Sequence, residues 1–253
     1  MDTYMLTGQL VSTIVPQYWA NRFEFNVKEL SQPGTIIHPE AALNENNRCI
    51  LYNFGQLNLL RISETLAEQI GFHSGKLKGN ILSKEALIEK CTPYTNIEYS
   101  STLLDHFLNP DDFTPKQIPE SFTLRQLDGK KDDALLTAYY AACTAEELDE
   151  ADIDFDEPDP IIFGLFDGTQ MAAYASHRYW DEVIADIGVL IHPHYRNRGL
   201  GKAVVSIISE WCLQNNIVPM YRVFSYHRYS INIAQSLGFK LFVSIDTLKT
   251  NQA

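Results

Sequence analysis

The chain has 253 residues, of which 45% are hydrophobic, and a formal net charge of −12 at pH 7. A chain of this length can fold as one large domain or as two ordinary ones around a packed core. The charge argues against a nucleic-acid partner, because most of the surface would repel a polyanion. The apolar runs are shorter than the roughly 20 residues that span a bilayer, so we expect no membrane partner.

The sequence predicts a cytoplasmic protein. Its N-terminus lacks the basic region that precedes the apolar stretch of a secretory signal peptide. Its scattered cysteines form no C-x-x-C pair and no set with histidine at zinc spacing, so we expect reduced thiols and no metal. They are Cys49, Cys91, Cys143 and Cys212.

The first 110 residues are predicted to form the smaller of two domains, with an α+β fold. Two β-rich runs, Cys49–Phe54 and Leu57–Ile62, flank a Gly-Gln pair and predict a hairpin. Ser63 is placed to cap a short helix, and further helices are predicted near Lys84–Lys90 and Tyr99–Leu108. The role of this module is open between covering an acceptor site, forming a homodimer and binding a protein partner.

The segment Asn109–Pro119 separates this module from the rest of the chain. It contains three prolines and two aspartates and has no helical periodicity. Proline restricts its own backbone and that of the preceding residue, so such a segment favours an extended connection. We predict an N-terminal domain over 1–110, a linker over 111–119 and a C-terminal domain over 120–253.

The C-terminal part alternates between strand and helix patterns. The apolar spacing predicts the order β-α-(α)-β-β-β-α-β-α-β, with Asp167-Gly168 as a hairpin turn. The predicted strands are Phe122–Leu127, Ile161–Phe166, Met171–His177, Glu182–Ile191, Ile217–Phe224 and Phe239–Ile245. The predicted helices are Lys131–Ala142, Gly199–Asn215 and Ser230–Leu237. This order predicts an α/β (α+β) domain.

The stretch that joins the fourth predicted strand to the long helix has the features of a phosphate site. The strand runs into a basic turn with glycines, and the turn opens an amphipathic helix. The first N–H groups of a helix lack intrahelical partners and, with the helix dipole, favour an anion. Gly199 and Gly201 allow close approach, and Arg196, Arg198 and Lys202 add positive charge. We predict a pyrophosphate site here.

Together with the downstream Leu237-Gly238-Phe239, this arrangement resembles the GNAT superfamily of acyltransferases. The family's pyrophosphate signature, Q/R-x-x-G-x-G/A, is matched by Arg196-x-x-Gly199-x-Gly201, and the resemblance covers about residues 121 to 246. It implies the GNAT fold, with a mixed, mostly antiparallel central sheet, splayed strands and flanking helices, and acetyl-CoA as co-substrate. The P-loop and Rossmann alternatives fail, because G-x-x-x-x-G-K-[ST] and a third glycine at Rossmann spacing are both missing.

In this family the strand before the signature splays from its neighbour, and its free backbone groups pair with the pantetheine arm of the cofactor. The splayed neighbour here would be Val218–Phe224. The residues that the resemblance implies for acetyl-CoA binding are Val189, Leu190, Ile191, Arg196, Asn197, Arg198, Gly199, Leu200, Gly201, Lys202, His227 and Ser230.

Direct transfer to an amine needs a base for the acceptor ammonium and an acid for the departing thiolate. Many relatives place a glutamate base where this chain has Ala185. Asp186 is adjacent, but it would point to the other face of a regular strand unless a bulge re-aims it. Asp186 is our candidate base, and a structural or solvated carboxylate is the alternative interpretation.

The usual acid is also missing. Many relatives have a tyrosine four residues before the glycine of L-G-F, where this chain has Ala234. Tyr226 and His227 lie earlier, on roughly the same helical face, and either could serve as the acid. His227 could instead bind the cofactor, because it stands where many relatives have an asparagine, and a water could protonate the thiolate.

The segment Glu146–Asp159 holds nine acidic residues in fourteen. One interpretation is a solvated connecting loop. The other follows from the resemblance, in which this segment lines the acceptor cleft, so clustered carboxylates would concentrate a cationic amine. A polyamine, an aminoglycoside or a basic peptide would suit the second interpretation.

The sequence therefore predicts an acyl-CoA-dependent N-acyltransferase that moves acetyl from acetyl-CoA directly to an amine of a small molecule or peptide. The alternative function is a non-catalytic regulator that binds acyl-CoA and signals through the N-terminal module. The missing glutamate at 185 and tyrosine at 234 favour that alternative. Transfer of another acyl group, or transfer to a hydroxyl, is a third hypothesis.

Overall fold

The computed structural model describes residues 8–43, 48–154, 157 and 159–252. Within them the helices are α1 (Gly8–Arg22), α2 (Glu64–Gln69), α3 (Lys84–Cys91), α4 (Asp133–Tyr140), α5 (Ala145–Glu150), α6 (Leu200–Gln214) and α7 (Arg228–Leu237). The strands are β1 (Gly34–Glu40), β2 (Arg48–Asn53), β3 (Leu57–Ser63), β4 (Gly75–Lys78), β5 (Thr95–Phe107), β6 (Thr123–Leu127), β7 (Ile161–Asp167), β8 (Gln170–Trp180), β9 (Ile184–Ile191), β10 (Val218–Phe224) and β11 (Lys240–Gln252). No helix of the described residues is both long and apolar enough to cross a bilayer.

The chain divides into two compact units. The C-terminal unit holds His106–Arg222 and Arg228–Lys240, and the N-terminal unit holds Thr13–Asp105, Val223–His227 and most of β11. Whether the predicted domains 1–110 and 120–253 fold independently stays a prediction.

In the N-terminal unit, the strands follow the order β4-β1-β3-β2-β11-β5. The predicted hairpin is confirmed, because β2 and β3 pair antiparallel as far as Asn53 and Asn58. The predicted cap is also confirmed, since the Ser63 hydroxyl accepts a hydrogen bond from the Leu66 N–H. Cys49 and Cys91 lie in hydrogen-bonding contact in the core of this unit, and both are unbridged.

One predicted helix of this unit is wrong. The sequence predicts a helix near Tyr99–Leu108. The structure instead has strand β5 over Thr95–Phe107. The Ser-Ser-Thr run in its middle has low helix propensity, and the sheet environment decides the conformation.

The C-terminal unit has the strand order β10-β9-β8-β7-β6. Neighbours from β6 to β9 are antiparallel, and β9 and β10 are parallel. The predicted order β-α-(α)-β-β-β-α-β-α-β is confirmed, with α5 as the optional second helix. The predicted fold class, α+β with a mixed and mostly antiparallel sheet, is confirmed as well.

Helices cover both faces of this sheet. On one face Tyr139 of α4 packs with Tyr174 and Leu190, and α5 adds partly buried side chains. On the other face the ring of Trp211 of α6 lies 5.4 Å from that of His177. Since side chains alternate along a strand, neighbouring residues of β8 and β9 face different helices.

The helix α6 follows directly from its sequence pattern. Leu200, Val204, Ile208 and Cys212 recur every four residues and are between 0% and 1% exposed. Such spacing places one apolar stripe against the sheet. The stripe fixes the direction of the helix, and with it the position of its N-terminus.

The predicted linker is bound to the C-terminal unit. The Thr114 N–H donates to the Leu237 carbonyl at 3.0 Å, and the Lys116 N–H donates to the Ser206 hydroxyl at 2.8 Å. These bonds attach the segment to α6 and to the end of α7. Its prolines therefore belong to a packed strap within this unit.

His177 gives this unit a specific sensitivity to acid. Its side chain is fully buried, and neither ring nitrogen has a hydrogen-bond partner. Burial lowers the pKa of His177 from 6.5 to about 4. Between these values the unfolded chain holds a proton that the folded protein does not hold. The histidine therefore reduces the free energy of unfolding as pH falls below about 6.5, by about 3 kcal/mol below pH 4.

We expect His177→Leu to remove this component of acid sensitivity. Between pH 7.5 and pH 5, wild type should lose about 2 kcal/mol more unfolding free energy than the variant, because leucine takes up no proton. Urea denaturation at both pH values measures the difference. Replacement of the exposed His73 by leucine is the control and should leave the wild-type pH dependence in place. Equal losses in His177→Leu and wild type would contradict the assignment.

Candidate active site

The sheet of the C-terminal unit opens between β9 and β10. The two strands pair only from Ile184–Val218 to Asp186–Met220. β9 continues to Ile191, and β8 pairs with it along its whole length without a register shift. Beyond Asp186, one edge of β9 therefore faces a gap.

The backbone groups that face this gap can be assigned from the β8–β9 ladder. The His192 N–H donates to the Ala172 carbonyl at 3.0 Å, so alternate residues of β9 direct their backbone groups to β8. Val189 and Ile191 then direct theirs to the open side. Leu190 differs, since its carbonyl accepts the hydroxyl of Tyr139 at 2.8 Å.

The turn after β9 has the geometry that a phosphate site needs. Pro193–Tyr195 forms a single 3-10 turn, and Asn197 and Gly199 adopt left-handed backbone angles with φ of 63° and 78°. Gly199 is the N-cap of α6 and provides no side-chain cap. The first N–H groups of α6 are thus left for an external acceptor.

The two signature glycines have different roles in the structure. A Cβ on Gly199 would meet no atom within 4 Å, so only its left-handed conformation restricts it. A Cβ on Gly201 would lie 2.8 Å from Cδ1 of Ile233 on α7. Gly201 therefore allows α6 and α7 to pack closely, whatever it does for a ligand.

The predicted cations are placed differently. Arg196 is already engaged with protein groups, since its guanidinium donates to Glu147 of α5 at 2.5 Å and to the Ile191 carbonyl at 3.3 Å. Arg198 is exposed and lies over the ring of Tyr195 at 5.0 Å. Lys202 is half-buried in the first turn of α6. The contact with Glu147 joins residues 49 positions apart, so no local pattern in the sequence indicates it.

A cavity of about 530 Å³ opens beside this turn. It is lined by Asp167, Gln170, His192, His194, Tyr195 and Arg198. Burial first, and then the nearby His194 and Arg196, lower the pKa of His192. In the described ranges, no three His, Cys, Asp or Glu side chains come together as a metal site.

The candidate base Asp186 is held by an arginine. Its carboxylate lies 3.4 Å from Arg222, whose guanidinium also stacks over Trp180 at 4.7 Å. Because β9 has no bulge, Asp186 lies on the face opposite Ala185, as expected for a regular strand. The ion pair with Arg222 engages the carboxylate, which makes it less available to a substrate amine.

The candidate acids lie in the connection between β10 and α7, which belongs to the N-terminal unit. Tyr226 is 58% exposed and stacks on Phe224, and its ring centroid is 4.4 Å from that of His227. Ser230, on α7 of the C-terminal unit, is in hydrogen-bonding contact with the hydroxyl of Tyr221. Ala234 is fully buried, so position 234 faces the core.

One carboxylate of the acidic segment is buried, which the sequence analysis did not predict. Asp159 is the last acid of Glu146–Asp159, and its side chain is only 8% exposed. The hydroxyl of Ser176 donates to it, and Arg178 lies 3.5 Å away. A count of charges in this stretch could not separate a buried acid from solvated ones. Phe155, Asp156 and Pro158 of the segment lie outside the described residues.

Part of the C-terminal unit matches a known protein family. Residues 131–239 match the model of the Acetyltransferase (GNAT) family. These residues form a GNAT acetyltransferase domain. The resemblance seen in the sequence is thereby confirmed. This family transfers acyl groups from acyl-CoA. No curated protein matches the sequence.

Solved GNAT structures resemble the chain at low identity. A GNAT-family protein of Novosphingobium aromaticivorans, described as an acetyltransferase, is 20% identical, with 64% of this chain and 69% of that chain covered and a TM-score of 0.45. A GNAT-family acetyltransferase of Colwellia psychrerythraea is 13% identical, with 65% of this chain and 61% of that chain covered and a TM-score of 0.49. A GCN5-related N-acetyltransferase-like protein of Streptococcus suis is 14% identical, with 87% of this chain and 80% of that chain covered and a TM-score of 0.46. The chain thus covers less than two thirds of the Colwellia protein.

Proposed function

We propose that the protein is an N-acetyltransferase that uses acetyl-CoA and transfers acetyl directly to an amine. The observation that carries the proposal is the splay between β9 and β10, which leads into the turn at Gly199 and the uncapped N-terminus of α6. A strand edge with unpaired amide groups suits the amides of pantetheine. A helix N-terminus suits the pyrophosphate.

The binding residues fall into three groups. Val189 and Ile191 offer backbone groups to pantetheine, while the turn from Asn197 to Gly201 offers N–H groups to the phosphates. Arg198 and Lys202 add positive charge, and neither forms an ion pair with another side chain in the part of the chain that the structure describes. Arg196 supports the turn from behind, through Glu147 and the Ile191 carbonyl. The unbridged thiols of the chain suit a cytoplasmic enzyme.

The test is acetyl-CoA turnover against a panel of amines, followed by release of the CoA thiol, with calorimetric binding of acetyl-CoA measured in parallel. Release that depends on one class of amine would establish the enzyme. Tight binding without release on any amine would favour the acyl-CoA-binding regulator. Failure to bind acetyl-CoA would contradict the proposed site as a whole.

We further propose a cationic acceptor, attracted by the exposed acids of Glu146–Asp159. Three acids of this segment are used internally: Glu147 bonds to Arg196, Asp152 to Arg178, and Asp159 to Ser176. Others stay at the surface, among them Glu146, Asp149 and Glu157. These remaining carboxylates would raise the local concentration of a cation.

Changing Glu146, Asp149 and Glu157 together to glutamine or asparagine is expected to raise KM for the cationic acceptor about tenfold at low salt. The KM for acetyl-CoA should not change, because none of the three contacts the turn residues in the structure. Steady-state kinetics at low and high ionic strength measure both constants. The effect on the acceptor should shrink as salt is added.

A variant with the same loss of charge elsewhere is the control. Glu64, Glu68 and Glu89 are exposed on helices of the N-terminal unit. Their change to glutamine removes three negative charges but should leave the acceptor KM near its wild-type value. If both triple variants behave alike, a general charge effect replaces the local one.

A further inference from the structure

Asp159 ends a chain of polar side chains on the α4–α5 face of the sheet. The Ser176 hydroxyl donates to Asp159, and Ser176 is also in hydrogen-bonding contact with Tyr174. Tyr174 in turn is in hydrogen-bonding contact with Tyr140 of α4. Tyr174 is 1% exposed and Tyr140 is half-buried, so the chain leads from the surface into the core.

The far end of this chain is an unusual carboxylate. The Oδ1 atom of Asp159 is buried, and it meets the Nε atom of Arg178 at 3.5 Å without a hydrogen bond of good geometry. Burial raises the pKa of Asp159, and the charges of Asp152 and Asp154 raise it further. The Ser176 hydrogen bond and the charge of Arg178 oppose this rise without cancelling it. A carboxylate of this kind takes up a proton more readily than an exposed one.

This row of polar side chains meets β9 close to the point where the pairing of β9 with β10 ends. Ser176 is paired with Gly188 of β9, two residues beyond Asp186, where the pairing of β9 with β10 ends. A Cβ on Gly188 would lie 3.5 Å from the Ser176 hydroxyl and 2.5 Å from the Ala151 carbonyl. The polar chain therefore reaches the strand at the level where the pantetheine arm would begin to pair.

We propose that Asp159 is the proton acceptor of the reaction, and that it receives the proton of the acceptor ammonium through Tyr140, Tyr174 and Ser176. This rests on the proposed N-acetyltransferase function and names the base that Ala185 cannot provide. Both carboxylates have an arginine partner, Arg222 for Asp186 and Arg178 for Asp159. Asp159 is the better candidate because the Ser176 hydroxyl joins it to the two tyrosines.

The proton transfer balances along the chain. The ammonium gives one proton to the Tyr140 oxygen as Tyr140 gives its own to Tyr174. Tyr174 passes one to Ser176, and Ser176 passes one to the Asp159 carboxylate. The free amine then attacks the thioester carbonyl, a C–N bond forms and the C–S bond breaks. The nitrogen of the adduct gives up its second proton, which neutralises the CoA thiolate, so CoA leaves as the thiol. The proton is finally lost to solvent along the same chain.

The test is the pH dependence of kcat/KM for the acceptor identified in the amine panel. In wild type the rate should fall at low pH as Asp159 becomes protonated. Asp159→Asn is expected to lower kcat about 100-fold or more and to abolish this acid limb, since amide nitrogen cannot take the proton. Asp159→Glu should restore part of the rate together with the limb. The Kd for acetyl-CoA should stay within about twofold in both variants.

Two further variants keep the outcome clear. Tyr140→Phe removes the entry of the chain at a half-buried site and should lower kcat about tenfold or more without changing acetyl-CoA affinity. Asp152→Asn removes the other carboxylate that pairs with Arg178. Because the charge of Asp152 raises the pKa of Asp159, this variant should keep the fall in rate at low pH but move it to lower pH.

Unchanged kcat and pH profile in Asp159→Asn, with an active wild type, would overturn the role of Asp159 and leave the proposed function in place. Loss of the limb in Asp152→Asn as well would also overturn it, because a general effect of charge would then explain the profile. A wild type that binds acetyl-CoA but transfers acetyl to no amine would overturn the proposed function, and it would overturn this inference as well.

Discussion

Gly199→Glu is expected to weaken acetyl-CoA binding at least about 100-fold. The new carboxylate would stand at the N-terminus of α6, where two phosphates should lie, and like charges brought together cost several kcal/mol. Each 1.4 kcal/mol is a factor of ten in Kd. The fold should tolerate the change, because a Cβ at this position meets no atom within 4 Å. Calorimetric titration with acetyl-CoA measures the loss.

Two control variants separate charge from backbone strain. Gly199→Asn keeps a residue that tolerates the left-handed region and adds no charge, so it should bind acetyl-CoA nearly as wild type does. Gly71→Glu places the same carboxylate on a glycine with φ of 71°, also with open space around its Cβ, in the N-terminal unit. Equal affinities for Gly199→Glu and Gly71→Glu would show that the phosphates bind elsewhere.

Gly238→Ala is expected to cost about 3 kcal/mol of unfolding free energy or more, from strain and overlap together. Gly238 has φ of 96°, and a Cβ there would overlap the carbonyl oxygen of Asp112. That carbonyl cannot easily retreat. The Asp112 carboxylate binds Lys240 at 2.5 Å, and the next segment is tied to Leu237 by the Thr114 N–H.

Urea denaturation of Gly238→Ala beside Gly71→Ala measures this cost. Gly71 also has a left-handed backbone but has no neighbour near its Cβ, so its change to alanine should cost only about 1 to 2 kcal/mol. The difference between the two variants reports the contact with Asp112. If the two lose the same amount, the strap from Asn109 to Pro119 does not hold Gly238 in solution.

The sequence was most informative where one short segment determines the geometry. The turn from Arg196 to Gly201 could be placed because a strand, cations, glycines and a helix follow one another within it. The order of elements in the C-terminal unit could likewise be predicted, since each apolar period is local. Gly238 was part of the recognised L-G-F pattern, but its reason, the carbonyl of Asp112, was not visible.

The features that were missed join residues far apart in the chain. Glu147 and Arg196 are 49 positions apart, and Asp159 and Ser176 are 17 apart. Nothing in the acidic run distinguishes the buried Asp159 from its exposed neighbours, because burial depends on how the segment folds back on β8. The strand β5 was missed for a related reason, since its place in the sheet depends on strands that are distant in the sequence.

In descendants that no longer carry out the reaction, substitutions at the two signature glycines should accumulate differently. Gly199 faces open space, and asparagine can adopt its left-handed backbone, so we expect it to drift once no phosphate has to be accommodated. Position 201 would stay small, as glycine or alanine, because the Ile233 side chain of α7 lies close to it. A descendant that kept only a small residue at position 201 would retain the close packing of α6 and α7 without a ligand that requires it.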